Sequence, residues 1–465
     1  MLLSGAAGLL FFSINTVPAF AVSSSSPPPN CSTDLPFLPE EISLPRNPAP
    51  PPDGYLDIPF LPEDSGLNKA MKTVDEHGVK PFVKFFGDFL ANPVGGKSQA
   101  ADWFHLLVFG TNLDLDRLIG WKGGEFTISG IHAGGDDITR NIGTKFIPAQ
   151  AVTPRGAALF SLYFTQHLAD DKVEFRIGRM TTGSTPYASL PLMGLAVNTA
   201  VDGNPLSLGY NTVGFHATGN ATWAANIKIK PTDETYIQSG IFQVTHSGNR
   251  PYDHGVDFSF RPGDGFLMMA EVGWCPTFLR DTCSSEDCPE KSVVQDPPFA
   301  GLPGIYQFGG YYQNDPMPTF LGTHSVQNAY GFYYEGQQMI WRSRLHPKHH
   351  FSIWGGLTYS PQKEIALLPI MTYGGVNWAG LIPTRDDDQL LLNYYMGRYS
   401  HDYSESNIRS GKGGNTMETT LELSYIFQLT RQIQFQPDLQ YFIQPGGSKS
   451  ISNALVLGFQ VSFIY

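Results

Sequence analysis

Residues 454–465 read ALVLGFQVSFIY. Leu455, Leu457, Phe459, Val461, Phe463 and Tyr465 take every second position, with Ala454, Gly458, Gln460 and Ser462 between them and Val456 as the apolar exception. A period of two places the first set on one face of a strand. Working back, Ile433, Phe435, Leu439, Tyr441 and Ile443 alternate with Gln434, Gln436, Asp438, Gln440 and Gln444. Before them, Leu421, Leu423, Tyr425, Phe427 and Leu429 alternate with Glu418, Thr420, Glu422, Ser424 and Gln428. Three consecutive segments share one apolar and one mostly polar face. Each is about ten residues or longer, the length of a tilted strand crossing a bilayer, whereas strands of soluble domains average nearer five or six. Aromatics at segment ends, such as Tyr394-Tyr395 and Phe463 to Tyr465, fit the interfacial girdles of outer-membrane barrels. A sheet edge inside a bilayer leaves backbone groups unpaired, so the sheet must close.

The same alternation recurs upstream. Phe160, Leu162, Phe164 and Leu168 oppose Ser161, Tyr163, Thr165 and His167, and Val173, Phe175 and Ile177 oppose Glu174 and Arg176. Trp223, Ile227 and Ile229 oppose Asn226, Lys228 and Lys230; Phe266, Met268, Ala270 and Trp274 oppose Glu271; Phe351, Ile353, Leu357 and Tyr359 oppose Ser352 and Trp354. From residue 79 onward about sixteen such stretches follow, an even count of the kind single-chain barrels use. The expected fold is therefore all-β, a transmembrane antiparallel barrel over 79–465, with a short N-terminal helix and a Pro-rich linker before it. Barrels of that size leave an aqueous channel.

Composition agrees. Of 465 residues, 41% are apolar and 13% aromatic, but only 15% are charged, against about a quarter in an ordinary soluble domain. After residue 21 no run of about 20 apolar residues appears, which excludes helical spans. The net charge of -12 and the lack of a basic stripe argue against nucleic acid as a partner.

Residues 1–21, MLLSGAAGLLFFSINTVPAFA, have an apolar core and end in Ala19-Phe20-Ala21, which reads as a signal peptide with its cleavage site. Residues 22–65 form a Pro-rich linker with a near-duplicate, LPFLPE at 35–40 and IPFLPE at 58–63. Residues 66–78 suggest one short helix, with Leu67, Met71 and Val74 on one side. Cys275, Cys283 and Cys288 fall in one polar segment; in an exported chain two of them are expected to form a loop disulfide, pairing open, and their spacing matches no standard zinc pattern. No metal and no cofactor is expected.

The stretch Thr111–Gly130, TNLDLDRLIGWKGGEFTISG, resembles the early-strand signature of the carbohydrate-selective porins, the OprB family. The matching positions are Asp114, Asp116, Trp121, Lys122, Gly123 and Gly124. GDFLANPVGG (87–96) resembles that family's first barrel strand, VEFRIGRM (173–180) its R-x-G segment, and QPDLQYFIQPGG (436–447) followed by NALVLGFQVSF its closing hairpin. The resemblance runs from about residue 67 to 465 and is weakest over 182–410. It implies a bacterial outer-membrane channel, monomer or trimer, for glucose and similar small sugars or polyols, in contact with membrane lipid and lipopolysaccharide.

A channel's selectivity lies in its lumen radius, lumen charge and infolded loops. Sugar passage calls for hydroxyl partners on one wall and flat rings on another. Candidate pore-lining or solute-contact residues are Gln434, Gln436, Asp438 and Gln440 as an amide and carboxylate ladder, Tyr163, Tyr311 and Trp354 as ring faces, and Glu174, Arg176, Lys228, Lys230, Glu271 and Glu422 as a charged constriction. Connectors 182–207, 276–303 and 374–388 are candidate extracellular or constriction loops. Asp386 to Asp388 read as a solvated acidic loop, and His346, His349 and His350 as a polar turn. No G-x-S-x-G, H-E-x-x-H or P-loop motif suggests an enzyme. The alternatives are a general or cation-preferring porin, motivated by the net charge, and an adhesion or structural barrel.

Overall fold

A computed structural model describes residues 73–464 except 151, 154, 184–186, 217–220, 246–253, 281–300 and 323. The signal peptide, the linker and most of the expected helix at 66–78 lie outside the described residues; 73–76 form a helical turn.

Sixteen antiparallel strands close into a barrel. They are β1 Val79–Gly96, β2 Ala101–Asp114, β3 Gly124–Gly135, β4 Gly156–Leu168, β5 Val173–Met180, β6 Thr222–Thr232, β7 Thr235–Val244 and β8 Gly265–Trp274. The second half is β9 Leu302–Gln313, β10 Ala329–Arg342, β11 His350–Tyr359, β12 Ile370–Ala379, β13 Gln389–Arg398, β14 Met417–Gln428, β15 Ile433–Ile443 and β16 Ser452–Ile464. Each pairs with its sequence neighbours, and β1 pairs with β16, from Lys84 opposite Ile464 to Gly96 opposite Ser452. Closure leaves no edge, the condition a bilayer imposes.

The faces are inside-out for a water-soluble protein. On β14 to β16, Leu421, Leu423, Leu439, Tyr441 and Leu457 are exposed outward, while Glu418, Glu422, Gln436, Asp438, Gln440 and Gln460 are buried inward. The alternation expected for ALVLGFQVSFIY holds through Ile464, and Val456, its apolar exception, packs inside.

Two details differ from the simple alternation. Phe160 and Ser161 both face the interior, because Ser129 pairs with Ser161 and Gly130 with Leu159, leaving Phe160 as the extra residue of a bulge. Tyr394 and Tyr395 do not both belong to a girdle: Tyr394 is exposed, whereas Tyr395 points inward and is fully buried, since neighbours on a strand face opposite ways.

Strand parity sorts the connectors. One end carries 136–155, 181–221, 245–264, 314–328 and 399–416, the last with an α-helix, His401–Arg409. The other carries mostly shorter links, among them 169–172, 233–234 and 429–432, with 275–301 as its long exception. Connectors 276–303 and 374–388 were expected beside 182–207. Parity instead puts 275–301 and 380–388 at the short-turn end, and 374–379 belong to β12. Among the described residues no helix is long and apolar enough to cross a membrane.

Candidate functional site

Two long connectors fold back into the barrel. The first, 136–155, carries α1 (Thr139–Ile142) and buries Ile138, Ile142 and Phe146. The second, between β5 and β6, carries a 3-10 turn at Pro191–Leu195 and α2 at Leu206–Asn211, and buries Leu192, Met193, Val197 and Leu208. Their apolar side chains pack on inward residues of the wall, among them Phe104, Leu106, Tyr373, Leu391 and Val456. This apolar lining of the interior narrows the route to what the loops leave open.

A loop inside a barrel takes backbone N–H and C=O groups away from bulk water, and each needs a partner. The wall supplies them. Glu422 Oε1 accepts the N–H of Val197 at 2.7 Å and of Asn198 at 3.2 Å. Glu271 Oε2 accepts from Ala188 N at 2.9 Å, Gln337 Oε1 from Leu192 N at 3.0 Å and Glu418 Oε2 from Lys145 N at 3.1 Å. Asp88 Oδ2 accepts from Gln150 N at 3.0 Å. Amide nitrogens serve the loop carbonyls: Gln436 Nε2 donates to Leu195 O at 2.9 Å and Gln440 Nε2 to Pro148 O at 2.8 Å. The two loops are also tied to each other, Gln150 Nε2 donating to Asp202 Oδ1 at 3.0 Å.

The carboxylates are held in turn by tyrosines. Tyr236 and Tyr333 donate to Glu271 at 2.7 and 2.8 Å, Tyr373 to Glu335 at 2.8 Å and Tyr399 to Glu418 at 2.7 Å. Tyr395 donates to Glu422.

The sequence-derived candidates therefore divide. Glu271, Glu422, Gln436 and Gln440 all point inward as expected, but their polar atoms hold loops. Gln434 joins the wall, donating to Gln428 Oε1 at 2.7 Å and accepting from Ser462 at 3.1 Å, and Asp438 accepts from Gln440 at 2.7 Å. Tyr311 is bonded to Ser360 Oγ at 2.8 Å, and the Trp354 ring lies 6.3 Å from that of Tyr373; both are buried. A second group gathers on β4, β5 and β6 toward the short turns. Arg176 and Glu174 pair at 2.7 Å, and the Arg176 guanidinium stands 5.8 Å from the Tyr163 ring. Lys228 lies 4.2 Å from the centre of the Tyr236 ring. Glu174 and Arg176 side chains keep 20% and 11% exposure, so this group still meets solvent inside the barrel. Lys230 stands two residues further along β6, half-buried at the short-turn end.

Sequence reading missed Asp88, Glu335, Glu418 and Gln337 as site residues. The signal was present, since each is a polar residue at an inward position of an otherwise aromatic or aliphatic strand. What Asp88, Glu418 and Gln337 anchor is set by loops more than 50 residues distant, and Glu335 accepts from Tyr373 on another strand, neither of which periodicity reveals.

The 114–124 motif builds a turn, not the lumen. Asp114 accepts from Asp116 N and Arg117 N at 3.1 and 3.2 Å and caps the helix Leu115–Ile119. Trp121 Nε1 donates to Gln166 Oε1 at 2.8 Å, and Gln166 Nε2 donates to Lys122 O at 3.0 Å, clamping the turn to β4. Gly123 has φ +66° and its missing Cβ would sit 2.5 Å from His167 O, so glycine is needed there; Gly124 then starts β3. Cys275 is disulfide-bonded, and Cys283 and Cys288 lie outside the described residues.

At the short-turn end His349 Nε2 and Asp386 Oδ1 meet at 2.8 Å and Lys348 Nζ meets Asp387 at 2.7 Å, joining turns 343–349 and 380–388. The hydrogen bond with His349 holds the Asp386 carboxyl below its usual range. Asp388 is buried and accepts both Arg385 nitrogens at 2.8 Å, so the acidic run is partly structural and not wholly solvated. Among the described residues no cluster of three or more metal-binding side chains forms.

Comparisons with known proteins agree with this architecture. The chain is 22% identical to Porin B of Pseudomonas aeruginosa, covering 82% of this chain and 87% of that one. It is 22% identical to the putative porin QuiX of Acinetobacter baylyi, over 76% and 81% of the two. The high-pH structure of Pseudomonas putida OprB superposes with a TM-score of 0.74 at 19% identity, covering 86% of this chain and 96% of that one. The low-pH structure of the same protein gives 0.54 at 18% identity. A family model matches residues 98–465, and the chain belongs to the carbohydrate-selective porins, the OprB family.

Proposed function

We propose that the protein carries small sugars by passive diffusion along the part of the lumen that the two infolded loops leave open. Its place in the family makes it an outer-membrane carbohydrate porin, which works as a channel. The finer reading concerns route and contacts. The observation that carries it is the division of inward residues: one set is consumed in holding loops, while the Glu174, Arg176 and Lys228 side chains keep partial exposure, Arg176 over the buried ring of Tyr163 and Lys228 over that of Tyr236. Carboxylate, guanidinium and ammonium groups exchange hydrogen bonds with sugar hydroxyls, and ring faces suit the C–H faces of a pyranose. Paired opposite charges keep the local field small, which favours a neutral solute over an ion.

In this reading the long connectors face outward and the short turns face the periplasm. An N-terminal signal peptide at 1–21 would deliver the chain, and the outer wall would meet lipid and lipopolysaccharide.

The test is planar-bilayer conductance titrated with glucose, with neutral polyols and arginine as comparators. Stepwise current reduced by glucose beyond its viscosity effect supports a sugar path. Current indifferent to sugars, with a cation-selective reversal potential, would favour a general porin.

A further inference from the structure

On β5 the outward residues are Phe175 and Ile177, both exposed, and the same alternation turns Arg179 outward. An arginine on the outer wall of a membrane barrel is costly. Yet Arg179 is only 4% exposed, because the end of the connector between β7 and β8 crosses over it. Its guanidinium donates to Asp257 O at 2.6 Å and to Gly255 O at 3.1 Å, as well as to Ala221 O, and lies 4.7 Å from the centre of the Phe258 ring. The crossing chain is held at two further points. Leu159 N donates to His254 O at 2.8 Å, on β4. Trp223 Nε1 donates to Phe258 O at 3.0 Å, and the Trp223 ring stacks on Phe260 with centroids 6.2 Å apart and planes 15° apart.

Having covered the arginine, this segment turns its own apolar side chains outward. Val256, Phe258 and Phe260 are 59%, 42% and 70% exposed. Ring-on-ring contact with Trp223 makes them continuous with the outer apolar wall below, where Ile177 and Ile227 are 47% and 39% exposed. The Arg261–Asp257 ion pair at 2.8 Å stands alongside. An apolar patch joined to a lipid-facing band and flanked by a charge pair has the chemistry of the boundary between acyl chains and headgroups.

We propose that residues 254–260 are an external strap immersed in the acyl region of the outer leaflet. It shields Arg179 from lipid and anchors the barrel rim through Phe258 and Phe260. The proposal rests on the outer-membrane setting and is independent of which solute passes.

The test places an environment-sensitive fluorophore at Phe260→Cys in the full chain reconstituted in liposomes. Ile353→Cys, on the outer wall, serves as the lipid-facing reference, and wild type carried through labelling gives the background of the native cysteines. The expected result is blue-shifted emission, quenched by lipids with a nitroxide high on the acyl chain and protected from aqueous iodide. Emission quenched by iodide and indifferent to nitroxide lipids would overturn the proposal by placing the strap in water. Protection from both quenchers, with a disulfide-linked dimer of the unlabelled Phe260→Cys chain, would overturn it in favour of contact with a second copy. A conductance assay on the same vesicles reads the channel separately, so loss of sugar passage and loss of the strap's lipid contact are distinguishable.

Discussion

The Glu422 carboxylate on β14 accepts the backbone N–H of Val197 at 2.7 Å, across 225 residues of chain. That bond, with Asn198 N and Tyr395 on the same carboxylate, holds the infolded loop at a fixed height in the lumen. Glu422→Ala removes the shared acceptor and leaves buried donors unpaired, at a cost of roughly 1–3 kcal/mol. The expected outcome is a noisier single-channel trace and a lower unfolding midpoint. Glu422→Gln keeps a carbonyl oxygen at the same place and should retain most of the quiet current. Equal traces from both variants and wild type would mean that the loop is held without this residue.

The Arg176–Glu174 pair at 2.7 Å makes an opposite-sign prediction for two variants. Arg176→Gln removes one of the cations beside Glu174, leaving Lys228 opposite it on β6, and raises cation occupancy nearby. Glu174→Gln does the reverse. Reversal potentials in a salt gradient should shift in opposite directions, and the concentration of glucose that halves the current should rise in both. If neither quantity moves, the cluster lies off the permeation path.

Much of the barrel was legible from alternation alone, because a wall one residue thick must show its two faces in turn. ALVLGFQVSFIY gave the outward and inward sides of β16 through Ile464. The interior was less legible for two physical reasons. A bulge at Phe160 resets the phase locally, with no proline or glycine at that position to announce it. More important, an inward Glu looks the same in sequence whether it meets a passing solute or a loop N–H. Glu271 and Glu422 turned out to hold loops, and only three-dimensional placement of Ala188 and Val197 reveals it.

Acid should loosen the short-turn end first at one identifiable link. The bond with His349 holds Asp386 below the ordinary carboxylate pKa of about 3.9. A group whose folded pKa is depressed adds stability above its unfolded pKa, and that stability is lost as pH falls through the folded value. Amide protection in turns 343–349 and 380–388, meaning exchange corrected for its intrinsic pH dependence, should therefore be high at neutral pH and fall below about pH 4. Asp386→Asn should give low protection at both. A loss of protection in acid that persists unchanged in Asp386→Asn would assign the acid response to another group.

Gly458 sits opposite Leu90 in the seam where β1 meets β16. A Cβ at this position would lie 1.9 Å from Phe89 O and 2.9 Å from Leu90 Cα, both backbone atoms. Backbone cannot rotate aside as a side chain can, and β16 is fixed on its other flank by Asp438 opposite the same glycine. Gly458→Ala must therefore part the two strands locally. Overpacking of this kind costs about 1–3 kcal/mol, and here it falls on the one junction that closes the sheet. The expected outcome is loss of the heat-modifiable compact form on a denaturing gel at temperatures where wild type keeps it, with a lower urea midpoint. Gly209→Ala is the control, because its Cβ would meet only Phe215 O at 3.8 Å, an ordinary contact. A Gly458→Ala barrel as resistant as the control would show that the seam tolerates separation and that closure is secured elsewhere along β1.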